Sequence, residues 1–129
     1  MNEDFAPFEL AVKLNEKGFN EPCYGYYHCN GGNDSFELCG NGDRDFLNSK
    51  NQYRVAAPTI SQVLKWLREE KGLHIEIYMY HNCYLWEIYN TKIYDADFTQ
   101  KSEKYSEIEY ETYEQAALAG VNYCLDNLI

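Results

Sequence analysis

Apolar residues recur along the chain with two different periods, and the switches between them outline the elements. Phe8, Ala11, Val12 and Leu14 share one helical face behind Pro7, whose missing N–H costs nothing in a first turn. Lys17 and Gly18 then supply a last-turn cation and a left-handed stop, which predicts a first helix over 7–17. Cys23 to Cys29, rich in tyrosine and bounded by Pro22 and Asn30, reads as a strand. Thr59 followed by Gln62 forms a capping box. Ile60, Val63, Leu64 and Leu67 fall on one face behind it, with Trp66 at the margin, until Lys71-Gly72 ends a second helix as Lys17-Gly18 ends the first.

From Leu73 the period drops to two. Leu73, Ile75, Ile77 and Met79 point one way, and His74, Glu76, Tyr78 and Tyr80 the other. His81-Asn82-Cys83 is a short link, and Tyr84 to Tyr89 alternates again with Trp86 and Ile88 on the apolar side, so a hairpin is predicted. Residues 90–104 are polar and read as loop. Tyr105 to Tyr110 is expected as a third strand with Ile108 and Tyr110 inward. A second capping box, Thr112 with Gln115, opens a last helix. Its apolar face is Tyr113, Ala116, Ala117, Gly120, Val121, Cys124, Leu125 and Leu128, small enough in the middle to lie close on a sheet.

The expected class is α+β: a small antiparallel sheet with helices packed on one face. An α-β-β-β-α core over 53–129 follows a helix, a Tyr-rich strand and a long loop over 1–52. The 129 residues suit a single domain. Between 30 and 52, Asn, Gly, Asp and Ser fill 14 of 23 positions, which is loop chemistry; Phe36-Glu37-Leu38-Cys39 is the one short strand it could hold. A shift of 54 residues aligns Glu16-Lys17-Gly18 with Glu70-Lys71-Gly72 and Tyr24, Tyr26 and Cys29 with Tyr78, Tyr80 and Cys83, which supports a strand after Gly18.

Charge narrows the partners. Acids outnumber bases 21 to 11, for a net charge of −10. Phosphate contacts need clustered Lys and Arg, so direct nucleic-acid binding and anionic membranes are disfavoured, and solubility is the bland reading of the excess. No apolar run approaches a membrane span, and the acidic start Met1-Asn2-Glu3-Asp4 lacks the basic opening of a signal peptide. The expected location is cytoplasmic, with the five widely spaced cysteines as free thiols.

The polar side of the predicted sheet is the main candidate surface. On it the register gathers His74, Glu76, Tyr78, Tyr80, Glu87, Tyr89, Tyr105, Glu107 and Glu109 around Leu85. Tyrosine gives large contact area at low entropic cost, so Glu76, Tyr78, Tyr80, Glu87 and Tyr89 are read as partner-binding residues. The opposing reading is intramolecular, with the 23–29 strand and the long loop covering the same face.

Other chemistries fit less well. His28-Cys29 and His81-x-Cys83 have zinc-ligand types, but neighbours along a strand point to opposite faces. Asn41, Asp43 and Asp45 have calcium-loop spacing, yet Phe46 and Gln52 stand where Gly and Glu are required. Gly40-Asn41-Gly42 is not followed by a phosphate-loop lysine. No metal, cofactor or catalytic residue is therefore assigned. Cys83 with His81 is the one nucleophile pair, without a third group to orient it. The α-β-β-β-α order invites comparison with double-stranded RNA-binding domains, but Glu111-Thr112-Tyr113-Glu114 carries the wrong charge where those grip phosphate.

The segments FELAVKLNEKGFNEPCYGYY, AAPTISQVLKWLREEKGLHIEIY and YETYEQAALAGVNYCLDNLI resemble a family of small uncharacterised proteins from gut Bacteroides and their phages or mobile elements. The resemblance implies a bacterial or prophage origin and carries no activity or functional residue. The leading expectation is a non-enzymatic intracellular interaction module that binds another protein, or itself, through the Tyr/Glu face. The alternative is an acidic accessory protein of a phage or mobile element, whose carboxylates imitate nucleic-acid phosphates; a small enzyme built on the hairpin comes third.

Overall fold

The computed structural model describes residues 5–28, 36–38, 54–94 and 100–129. Its elements run α1 (Phe8–Glu16), β1 (Gly25–His28), β2 (Phe36–Leu38), β3 (Arg54–Ala57), α2 (Ile60–Glu70), β4 (Leu73–Tyr80), β5 (Cys83–Tyr94), β6 (Gln100–Tyr105) and α3 (Tyr113–Tyr123), which continues as a π-helical turn over Cys124–Leu128. The class is α+β, with three helices and two three-stranded antiparallel sheets ordered β2-β1-β3 and β4-β5-β6. The chain forms two compact units, Met1–Gln62 and Val63–Ile129, divided within the first turn of α2.

In the first unit α1 lies against β3, burying Leu10, Ala11 and Leu14. The Tyr27 hydroxyl donates to the Ala6 carbonyl at 2.7 Å, and the Ala6 N–H to Pro58 at 2.8 Å, which tie the chain ahead of α1 to this sheet. Strand β3 was not foreseen. Its Arg54-Val55-Ala56-Ala57 has one β-branched residue and no alternation, because the last three positions are all buried. The Tyr-rich strand after Gly18 exists, but it starts at Gly25, whereas β4 follows Gly72 directly. At the 54-residue offset the two segments share their left-handed glycines (φ 98° and 67°) and not their strands. Of the 30–52 segment only 36–38 is described; Cys29, Cys39 and the 41–45 spacing lie outside the described residues.

Both capping boxes form. The Gln62 N–H donates to Thr59 Oγ1 at 3.1 Å while Gln62 Oε1 accepts from the Thr59 N–H at 3.3 Å, and Thr112 with Gln115 repeats the arrangement. In α2 the stripe is turned by about one position from expectation. Trp66 is buried and Leu64 half-buried, since the indole offers more area to bury.

In the second unit the hairpin pairs Leu73 with Asn90 through Tyr80 with Cys83, closed by His81 and Asn82, both left-handed (φ 50° and 66°) as a two-residue hairpin loop demands. Leu73, Ile75, Trp86 and Ile88 are buried under α3, but the inward pattern fades at the tip, where Ile77 is half-buried and Met79 is 62% exposed. The third strand is displaced from its expected place. Residues predicted as loop form the end of β5 and most of β6, and 105–110 leaves the ladder after Tyr105. Ser106 still bonds Trp86, and Tyr110 exchanges two bonds with Tyr84, so Glu107-Ile108-Glu109 bulges outward and Ile108 is 61% exposed.

Helix α3 buries Ala116, Ala117, Gly120, Val121, Cys124 and Leu125; Tyr113, expected on this face, is exposed and meets Tyr84 edge-on. Burial pushes the Cys124 thiol up to about 12 from its ordinary 9.0. A folded pKa above the unfolded one means stability that is full below pH 9 and lost as pH rises towards the folded value. The stability gap between wild type and Cys124→Ala, measured by urea unfolding, should therefore shrink by about 1.4 kcal/mol from about pH 8 to about pH 10. A constant gap would show the thiol ionising equally in both states.

Candidate functional site

Strand alternation and a two-residue turn fix which side chains share the outer face of the hairpin. His74 lies opposite Tyr89, Glu76 opposite Glu87, Tyr78 opposite Leu85 and Tyr80 opposite Cys83, all on the side away from α3. Strand β6 adds Tyr105 beside Glu87 and Ser102 beside Tyr89. All five residues expected to bind a partner are thus on one surface. Tyr78 is 37% and Tyr80 51% exposed, while Glu87 and Tyr89 are half-buried. Glu107 and Glu109, expected on the same surface, leave the ladder in the bulge after β6: Glu107 pairs with Lys104 at 3.1 Å, while Glu109 stays next to Cys83 of that surface.

Electrostatics at the centre of the face are unbalanced. Like charges directly opposite one another across a ladder repel, and Glu76 faces Glu87 in this way. Among the described residues, His74 Nε2 stands 3.6 Å from Glu76 Oε2 and no lysine or arginine pairs with either carboxylate. Burial first, then the neighbouring Glu87 and the charge of Glu76, raise the Tyr89 hydroxyl pKa. The His74 and Tyr89 rings lie 6.5 Å apart. Between them a cavity of about 240 Å³ opens, lined by His74, Glu76, Tyr89 and Thr91. Thr91 was not singled out in the sequence, because its strand extends through residues read as loop. Its N–H and its hydroxyl both donate to the Gly72 carbonyl, at 2.8 and 3.1 Å.

The Cys83–His81 pair sits at the hairpin tip. Burial, then a hydrogen bond and repulsion from Glu109 and the charge of Glu111, raise the Cys83 pKa, which keeps the thiol protonated and weakly nucleophilic. His81 is exposed in the turn, edge-on to Tyr80 with centroids 4.2 Å apart.

A second polar cluster, unforeseen, belongs to the other sheet. The Tyr26 hydroxyl donates to Glu37 Oε2 at 2.7 Å, His28 Nε2 stands 3.2 Å from the same oxygen, and the Arg54 guanidinium lies 4.9 Å from the Tyr26 ring centroid. The Tyr26 and His28 hydrogen bonds, against a smaller desolvation penalty, hold the Glu37 pKa below its usual value. Only strand pairing brings these residues together, and Arg54 belongs to the strand the sequence did not reveal. Their geometry ties β2 to β1.

Among the described residues no three His, Cys, Asp or Glu side chains converge as metal ligands, and no helix is long and apolar enough to cross a membrane. Comparison with protein-family models, with curated proteins and with solved structures gives no match to this chain.

Proposed function

We propose that this protein is a non-enzymatic, cytoplasmic interaction module whose outer β4-β5-β6 face binds another protein that carries basic side chains. The observation behind this reading is the Tyr/Glu surface itself. Tyr78 and Tyr80 are exposed in register with a Glu76–Glu87 pair that lacks a Lys or Arg partner among the described residues. Tyrosines supply rigid, amphipathic contact area, and the carboxylates favour a partner of opposite charge. Self-association through this face would set carboxylates of two acidic copies against each other, which disfavours a homodimer here.

The Tyr78→Ser/Tyr80→Ser double variant tests the reading. It should unfold within about 1 kcal/mol of wild type, since both side chains are surface residues. In native lysate at two salt concentrations, wild type should retain a protein that the variant loses, and raised salt should weaken the complex without releasing it, because the tyrosine contacts remain. Equal capture by variant and wild type would sink the proposal. Capture of a basic protein that is released by salt would instead favour the acidic accessory protein of a phage or mobile element, whose carboxylates take the place of phosphates.

A further inference from the structure

We infer that the cavity between His74, Glu76, Tyr89 and Thr91 is a receptor for one arginine side chain, supplied by the partner of the outer face. This rests on the interaction-module reading and gives that face a specific anchor point.

Size, polarity and charge converge on this ligand. The cavity, about 240 Å³, is smaller than the roughly 300–1,000 Å³ of sites for whole drug-sized molecules, so it suits a side chain better than a metabolite. Its polar rim presents acceptors. Thr91 already donates its hydroxyl proton to Gly72, which leaves Oγ1 lone pairs for a ligand. The Tyr89 hydroxyl, which also lines the site, has oxygen lone pairs that can accept as well. Glu76 contributes two carboxylate oxygens, and its one ion-pair contact, to His74, is long at 3.6 Å. Three of the four lining residues thus offer acceptors, and the fourth, His74, turns Nε2 towards Glu76, so the site favours a ligand that only donates.

Arginine and lysine both meet that requirement, and the shape of the site separates them. A guanidinium is planar, carries five N–H groups in one fork, and stacks on aromatic rings. It can lie against Tyr89 while one edge meets Glu76 and another reaches Thr91 Oγ1. An ammonium offers no flat face to the ring and a smaller spread of donors. A cation here also relieves the repulsion between Glu76 and Glu87, which no lysine or arginine among the described residues offsets and which His74 meets only at 3.6 Å.

The test is an amide-resolved NMR titration of the full chain with acetyl-Gly-Arg-Gly-amide, alongside peptides carrying citrulline or lysine in place of arginine. The arginine peptide should give saturable shifts at residues 74, 76, 89 and 91. Citrulline, near-isosteric and uncharged, should bind at least about tenfold more weakly, the scale of one charge-assisted contact. Glu76→Gln should lose about as much, with its own spectrum reporting that the hairpin is intact, and Thr91→Val should weaken arginine more than lysine. Absence of shifts at these amides, an equal response to citrulline, or equal affinity for lysine would each overturn the inference. The two readings fail separately. Loss of capture by Tyr78→Ser/Tyr80→Ser without peptide binding removes only the arginine receptor. Peptide binding with capture unaffected removes the Tyr/Glu face as the docking surface.

Discussion

Replacing Trp86 with alanine should lower the unfolding free energy by about 3–5 kcal/mol, a large part of the roughly 5–15 kcal/mol typical of a domain. Trp86 is 5% exposed on the inner face of the hairpin, its ring 5.4 Å from that of Tyr123. Its truncation would leave a cavity between sheet and helix. The side chain also carries a defect: its indole N–H is buried without a hydrogen-bond acceptor among the described residues. Such a donor gives up its hydration and receives nothing in return. Trp86→Phe keeps most of the apolar contact and deletes the unpaired donor, so it should cost no more than about 1.5 kcal/mol. Urea unfolding of the three proteins checks the pair. A phenylalanine variant as damaged as the alanine variant would mean that the indole N–H has a partner, such as a trapped water.

Gly120→Leu should be the second severe change, at about 2–3 kcal/mol, while Gly120→Ala stays near neutral. A Cβ built at Gly120 would meet Ile75 Cγ2 at 3.0 Å and Trp86 Cγ at 3.4 Å, so α3 crosses the sheet with almost no clearance. Alanine asks its neighbours to give by a few tenths of an ångström and regains about 1 kcal/mol of helix propensity. Leucine has no such room and must lift the helix from Ile75 and Trp86. Near-UV circular dichroism of Trp86 would report the displacement, and unfolding would report its cost. Equal stability of wild type and the leucine variant would contradict this close approach.

How far the sequence could be read follows from where single side chains carry the information. Helix α3 was legible because Thr112 and Gln115 cap it and its small residues repeat at spacings of three and four. The hairpin was legible because Leu73 to Ile77 and Trp86 to Ile88 alternate without interruption. Strand β3 was not, since Val55, Ala56 and Ala57 are all buried and leave no period to detect. Strand β6 was missed for the opposite reason: Gln100 to Tyr105 is polar throughout, and the apolar alternation of Ile108 and Tyr110 drew the third strand past its true end. What pulled those residues out of the ladder is a three-residue bulge, a backbone event that Glu107-Ile108-Glu109 does not advertise. The five face residues were recoverable from alternation alone. Thr91 and the cavity were not, because they depend on how far β5 runs, and the Tyr26–His28–Glu37–Arg54 cluster needs three strands paired in register.

The backbone at Gly72 ties these observations together. Its left-handed φ of 67° closes off α2, the next residue opens β4, and its carbonyl holds Thr91 by two hydrogen bonds at the cavity rim. A side chain there would also crowd Thr91 Oγ1 and Lys92 Cε, each 3.2 Å from the Cβ position. One peptide unit thus serves as stop, start and buttress. It also sets the parity of everything downstream: counting in twos from Gly72 lands on His74, Glu76, Tyr78 and Tyr80, so the helix terminus decides which side chains meet a partner and which meet the core.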